Sequence, residues 1–585
     1  MNGDFQQGPQ QDSGMQRNLI LAFALTLLII LIAQPLLNKY GPQPAAKPPA
    51  TQPQPAAAPP PAVPSAPSPA LPAQQATAES QVVVENDLYK ITFNNRGALV
   101  KSWILKKYKD DKGQPLELVN ATAAPQYGSP LSLWTYDAGL RTRLNNALFV
   151  VQAVAPCPPN ARCDQMTRAP KAVEDAPVEL MFLYSEGDLV VRKQFRFDHS
   201  YVVRVETAVT QAGQRVQAYP AWPPGFGDQT TPDTYAKGTL DWQSDFKVQR
   251  LAPKKISGGN TVHGPLEWAG AADQYFAAVF LPADPASAAL ITLHESIKIP
   301  KDLEKPDPKE TVEVPVLGVA VGDAGGLTRA RLFVGPKDMD VLQSVPVAAG
   351  DDLRDLVDFG YLSFIAKPLF LWLKWTYRHW VANWGWAIVI LTVIINVGLL
   401  PLKLSSMKSA LKMQKIQPQM KAIQERYKKY KITDPKRQQM QQEVNELMKR
   451  EGANPLGGCL PMVLSLFFLW PFYTVLGVAI ELRQAHWLWI HDLSAADPWH
   501  ILPIGIVVTM FIMQKVTPTA GMDPMQQKMM TIMMPVMMGF IAWNFPSGLC
   551  LYWAASQLIG WAQQTWLNNT KYGREMREHL NKRKK

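Results

Sequence analysis

Residues 384–402 read WGWAIVILTVIINVGLLPL, nineteen positions without a charged side chain, opened by tryptophan and closing around Pro401. A bilayer core takes about 20 apolar residues in helical form, so this stretch is long enough to span. Its most polar side chain, Asn396, lies well inside the run. Polar groups at membrane depth are costly and face a helix bundle or a wet cavity rather than lipid. The stretch predicts a transmembrane helix over 383–402 with one polar face.

The same test applied outward predicts further spans at 455–481, 500–516, 525–544 and 547–567. Residues 19–37 form another uncharged run behind a short tail, 1–18. A signal-peptide core is about 7–15 residues, so this longer run reads as an uncleaved anchor. Upstream of the opening stretch, 352–382 mixes apolar residues with Lys367, Lys374 and Arg378 and carries Trp372, Trp375 and Trp380. That pattern predicts an amphipathic helix lying on the membrane surface. The chain is thus a polytopic α-helical membrane protein of six spans.

Charge sets the topology. The net charge is +11. Residues 403–451 hold 13 Lys/Arg and 5 Asp/Glu, and the tail 568–585 holds 7 and 2. The loop 482–499 has one basic residue, Arg483. Cytoplasmic loops concentrate Lys and Arg, so 403–454 and 568–585 are placed in the cytoplasm, with the N-terminus inside and the region after the anchor outside. Within 403–454, Met420, Ile423 and Tyr427 and then Met440, Val444 and Leu447 recur at helical spacing around a turn at Asp434-Pro435. This predicts a helical hairpin, with Pro418 kinking or breaking its first helix.

Between anchor and second span the composition changes twice. Residues 41–80 hold 13 prolines between Pro42 and Pro72 and read as an extended spacer. Residues 81–345 alternate β-branched and aromatic runs, such as 89–93, 180–184 and 189–197, with turns at Asn95-Arg96-Gly97 and Glu186-Gly187-Asp188. They predict a large all-β sandwich outside the membrane. Cys157 and Cys163 lie in this domain, where a disulfide and two free thiols both remain open. Four cysteines in 585 residues exclude a disulfide-dense scaffold, and 47% apolar residues exclude a disordered chain.

Catalytic patterns are not found. His294-Glu295 lacks the second histidine of a zinc-protease helix, and no GxSxG, phosphate loop or GxGxxG occurs. The reading is therefore not an enzyme, with no cofactor and no metal. What stands out is polarity inside the spans: Asn396, Ser465, Thr509, Gln514, Tyr552, Ser556 and Gln557 are candidates for a hydrophilic groove. Tyr552 and Ser556 share a helix face, and Asn396 lies one turn from Thr392. Ten methionines fall between Met510 and Met538, a composition suited to varied apolar partners.

Several short motifs carry a family resemblance. Asn454-Pro-Leu-Gly-Gly-Cys459, Glu481-Leu-Arg-Gln484, Trp489-Ile-His-Asp-Leu-Ser494, Asp523-Pro-Met-Gln-Gln-Lys528 and Phe545-Pro-Ser-Gly548 resemble those of the YidC/Oxa/Alb membrane protein insertases. The likeness is close over about 362–565, and the layout resembles the Gram-negative-type branch with its large periplasmic domain. The resemblance implies a β-supersandwich at 81–345, five spans forming the insertase core, and insertion of transmembrane segments of nascent inner-membrane proteins without ATP. A client's polar stretch would enter a hydrated groove while its apolar segment slides out past Phe467, Phe468, Tyr473, Met530 and Met534. Implied partners are nascent membrane proteins, the lipid bilayer, the Sec translocon and the ribosome. Lys428, Lys429, Lys582, Arg583, Lys584 and Lys585 are the candidate ribosome or lipid contacts. The family's groove arginine, five residues before the proline closing the second span, is Asn396 here, and its span-three glutamine is Ser465. The expectation is a groove without a fixed central charge, with Lys403 and Lys515 standing at the cytoplasmic ends. The competing readings are a solute transporter with a sugar-binding β-sandwich and a membrane-tethered sugar enzyme. The first lacks an internal repeat and an intramembrane ionisable pair, and the second needs paired carboxylates in a cleft.

Overall fold

The computed structural model describes residues 74–154, 167–301, 310–347, 350–427, 430, 434–452, 460–516, 529–570 and 574. They belong to one compact unit, 68–585. The anchor, the spacer up to residue 73, Cys157, Cys163, Lys428, Lys429 and the basic end 582–585 lie outside the described residues.

Strands form where the sequence alternates. Leu189–Phe197 buries every second residue, and its neighbours Val178–Glu186 and Val202–Gln211 flank it antiparallel. Gly187 turns the first hairpin at φ 63°, a conformation that costs glycine nothing. These strands belong to an eleven-stranded sheet that continues through Leu327–Pro336, Phe276–Pro282 and Trp268–Ala272. Two five-stranded sheets complete the domain. One contains Tyr89–Asn94 and Leu99–Lys109, and the other is built on the long hairpin Ala288–Pro300/Thr311–Asp323. Phe93 of the first small sheet packs on Phe182, Phe195 and Phe197 of the large one. Trp103 meets Trp222 of the other small sheet edge-on at 5.7 Å. Three sheets therefore share one core, which is more than the two layers of a simple sandwich.

The alternation has one exception. Position 193 faces inward between Val191 and Phe195, yet it is a lysine with no exposed surface. Its Nζ donates to the carbonyls of Gly97, Ala98 and Leu131 at 2.7, 3.0 and 2.8 Å. All three of those residues have positive φ, at 72°, 47° and 62°. One ammonium thus satisfies three carbonyls exposed by left-handed turns in two separate loops.

Among the described residues, eight helices follow the β domain: α1 (Ser363–His379), α2 (Trp384–Gly398), α3 (Leu400–Arg426), α4 (Pro435–Arg450), α5 (Leu460–Val478), α6 (Ile501–Val516), α7 (Met534–Ala542) and α8 (Ser547–Asn569). The amphipathic helix expected from 352 starts only at Ser363. A 3-10 turn, Leu353–Leu356, and Gly360 at φ 66° interrupt the chain before it. Helix α1 exposes Phe364, Leu371, Trp372 and Trp375 and buries Leu369, Phe370 and Leu373. It makes a 120° bend with α2. Among the described residues no single helix is long and apolar enough to cross a membrane; α1 and α2 pass that test only as a bent pair.

Two prolines act differently. Helix α3 runs unbroken through Pro418, so of the expected kink or break the break does not occur. The one lost hydrogen bond is a small part of a 27-residue helix whose Ile423 packs on Val444 and Leu447 of α4. Before Pro535, by contrast, the chain forms a π-helical turn, Met529–Met533, and only then α7. The pyrrolidine lacks an N–H and crowds the carbonyl four residues back, and the wider turn relieves this. Gly539 lets α7 lie against α6, since a Cβ there would sit 2.3 Å from Val507 Cγ2.

Candidate functional site

The site begins with Asn396 in the last turns of α2, 4% exposed among apolar helices. Its Nδ2 donates to the Thr392 carbonyl at 2.9 Å and to Ser556 Oγ of α8 at 3.3 Å. Its Oδ1 accepts from Lys403 Nζ at 3.0 Å. The same Nζ donates to Gln563 Oε1 at 2.6 Å, and Gln563 Nε2 returns a bond to the Asn396 carbonyl at 3.0 Å. Four side chains from α2, α3 and α8 thus close one connected network.

The network corrects the expectation for Lys403. Its Cα lies beyond the end of α2, but its flexible stem turns back and carries the ammonium to Asn396. Among the described residues it makes no salt bridge, because both of its acceptors are neutral amides. The side chain of Lys515 lies outside the described residues. Sequence reasoning also missed Gln563. A signal was present, since Lys403 follows Asn396 by seven residues and Gln563 follows Ser556 by seven. Two helical turns return each pair to nearly the same face.

The other groove candidates divide. Tyr552 stacks on Phe472 of α5 at 4.2 Å and is buried. Thr509 turns its hydroxyl onto its own helix, at the carbonyls of Gly505 and Ile506, so it adds no polar reach. Gln514 and Gln557 are half-buried and take no part in the Asn396 network. The side chain of Ser465 lies outside the described residues, as do those of Phe467 and Met530. Of the remaining slide candidates, Phe468 and Met534 are half-buried, while Tyr473 is 44% exposed with its ring near Trp470 and Phe545.

The described residues thus join a β domain to an apolar helical bundle with an internal polar cluster. Two family models match that division: "YidC periplasmic domain" over residues 81–372 and "60Kd inner membrane protein" over 375–575. Membrane protein insertase YidC of Geobacter metallireducens is 33% identical over 549 residues, covering 91% of this chain and 94% of the relative. That of Geobacter sulfurreducens is 35% identical, with coverage of 82% and 85%. A crystal structure of an active YidC insertase with its first transmembrane domain resolved aligns over 84% of this chain and 93% of its own, at 18% identity and a TM-score of 0.33. The chain belongs to the YidC family of membrane protein insertases, and it inserts nascent membrane proteins into the lipid bilayer.

Proposed function

We propose that insertion runs through a hydrophilic groove centred on Asn396, Lys403, Ser556 and Gln563, in a bundle of six spans with both termini cytoplasmic. The observation that carries this reading is the connected, half-buried polar network between α2, α3 and α8, with Asn396 buried at its centre. Polar groups in an apolar bundle are costly unless hydrogen-bonded, and at membrane depth they mark paths for polar cargo. The groove lowers the barrier for a client's polar stretch. The client's apolar segment leaves beside Phe468, Tyr473 and Met534, and its transfer out of water supplies the driving force at ~25 cal/mol per Å². Adaptable methionines suit a surface that accepts many sequences. The basic hairpin and tail meet the ribosome or anionic lipid, and larger clients are handled together with the Sec translocon, where the protein also acts as a folding chaperone.

Reconstitution of the purified protein into liposomes tests this. A short client with a small translocated tail is expected to insert without nucleotide or membrane potential. No insertion, beside a working positive control, would sink independent action. In the same assay Asn396→Leu is expected to slow insertion about fivefold, because Lys403 and Ser556 lose their shared partner. Unchanged insertion would mean that polarity at this position is dispensable.

A further inference from the structure

Another buried lysine ties the β domain to the bundle, at the end opposite the Asn396 network. Lys374 of α1 has a side chain only 10% exposed. Its Nζ lies 2.9 Å from Asp340, 3.2 Å from Glu481 and 3.8 Å from Asp338. The three carboxylates come from two places. Asp338 and Asp340 open the helix Met339–Gln343 at the end of the β domain, where Asp338 caps the backbone N–H groups of Asp340 and Val341. Glu481 sits in the 3-10 turn Ile480–Leu482 directly after α5, and its side chain is 9% exposed. Arg378, one turn on from Lys374, adds a second cation on Asp340.

The β domain grips the same end of α5 elsewhere. Gln274 Nε2 donates at 2.7 Å to the carbonyl of Gly477, in the last turn of α5, where carbonyls lack helical partners. Gln484 Nε2 donates to the carbonyls of Lys109 and Asp110 at 3.1 and 3.2 Å. The Arg483 guanidinium lies over the Phe276 ring at 5.7 Å. Helix α5 carries Phe468 and Tyr473 and, through Phe472, stacks on Tyr552 of α8. A helix held at one end moves by pivoting about it, so the height and rotation of these side chains depend on how that end is fixed.

We propose that Lys374 is a positioning residue for insertion: through Glu481 and the Asp338/Asp340 pair it holds the outer end of α5 against the β domain and so sets the wall along which the client leaves. This rests on the groove reading above. The ammonium answers carboxylates of both neighbours at once, so its loss breaks that tie and loosens the junction, the Gln274 and Gln484 hydrogen bonds remaining, while leaving each part folded.

The test replaces the ion pair by a covalent one. Full-length protein carrying Asp340→Cys and Glu481→Cys, the β-domain and α5-end partners of the Lys374 ammonium, is reconstituted and assayed before and after bridging with a short bismaleimide, with a monofunctional maleimide as control. The unbridged protein is expected to insert about tenfold more slowly than wild type, while its β domain keeps wild-type resistance to trypsin. Bridging is expected to restore insertion to within threefold, and the monofunctional reagent to leave it slow. Lys374→Arg, which keeps the charge, is expected to stay within twofold of wild type. Wild-type speed in the unbridged protein, or no recovery on bridging, would overturn the proposal. If wild type itself fails to insert, the groove reading falls first.

Discussion

Replacing Lys403 by glutamine is expected to slow insertion of a client with an acidic tail at least tenfold, while a matched client with a neutral tail stays within about twofold. Glutamine keeps one donor for Asn396 or Gln563 and removes the charge. The wild-type ammonium donates to two neutral amide oxygens at 3.0 and 2.6 Å and has no carboxylate partner among the described residues. A client carboxylate arriving there gains a charge-assisted hydrogen bond of about 1.5–3 kcal/mol, and each 1.4 kcal/mol is tenfold. Lys403→Arg should retain the preference for acidic tails, because it keeps the charge at a similar reach. Equal slowing of both clients by Lys403→Gln would assign the lysine to holding helices together rather than to reading charge. Insertion of the neutral client by wild type keeps the two questions separate.

The second large effect concerns the β domain. Lys193→Met is expected to destabilise it by about 3 kcal/mol and lower its unfolding midpoint by about 6–12 °C. Methionine matches the apolar stem but leaves the carbonyls of Gly97, Ala98 and Leu131 without their donor. Each buried unsatisfied acceptor costs about 1–3 kcal/mol, partly offset because the ammonium no longer has to leave water. Ala98 and Leu131 are also held in left-handed conformations that non-glycine residues disfavour, so removing the ammonium releases both loops. Urea and thermal unfolding of the full chain, followed by tryptophan fluorescence to which the buried Trp103, Trp222 and Trp268 contribute, measure this.

That lysine also predicts a pH dependence. Burial pushes its ammonium down to about 7, against about 10.4 in an unfolded chain. Between those values the unfolded chain holds a proton that the folded one has released, so this group's contribution to stability rises with pH. The stability gap between wild type and Lys193→Met should therefore widen from pH 7 to pH 9. A constant gap would mean that the ammonium stays charged in the fold.

Much of the architecture was legible because it rests on local periodicity. The alternation at 189–197 became the strand Leu189–Phe197, and the apolar run at 384–402 became α2 and the start of α3. The π-helical turn ahead of Pro535 was not legible from apolar content, since it depends on how a proline is accommodated between packed helices. Within the groove candidates, Asn396 and Ser556 meet across 160 residues of chain, which no spacing within one helix foretells. Thr509 did not join them, because a hydroxyl on a helix readily bonds the carbonyl one turn back.

By itself the sequence determined the division into a β domain, a helical bundle and two basic segments, and it determined the family through short motifs around the bundle. Apolar runs, alternation and charge bias are properties of neighbours along the chain, so no tertiary contact is needed to read them. The tertiary structure alone decided where the charges act. Lys403 reaches Asn396 across the end of one helix and Gln563 from 160 residues away. Lys374 gathers carboxylates from the β domain and from Glu481, 107 residues on. A lysine stem is long and flexible, and its ammonium settles wherever acceptors converge, a point that only the packing of distant segments defines.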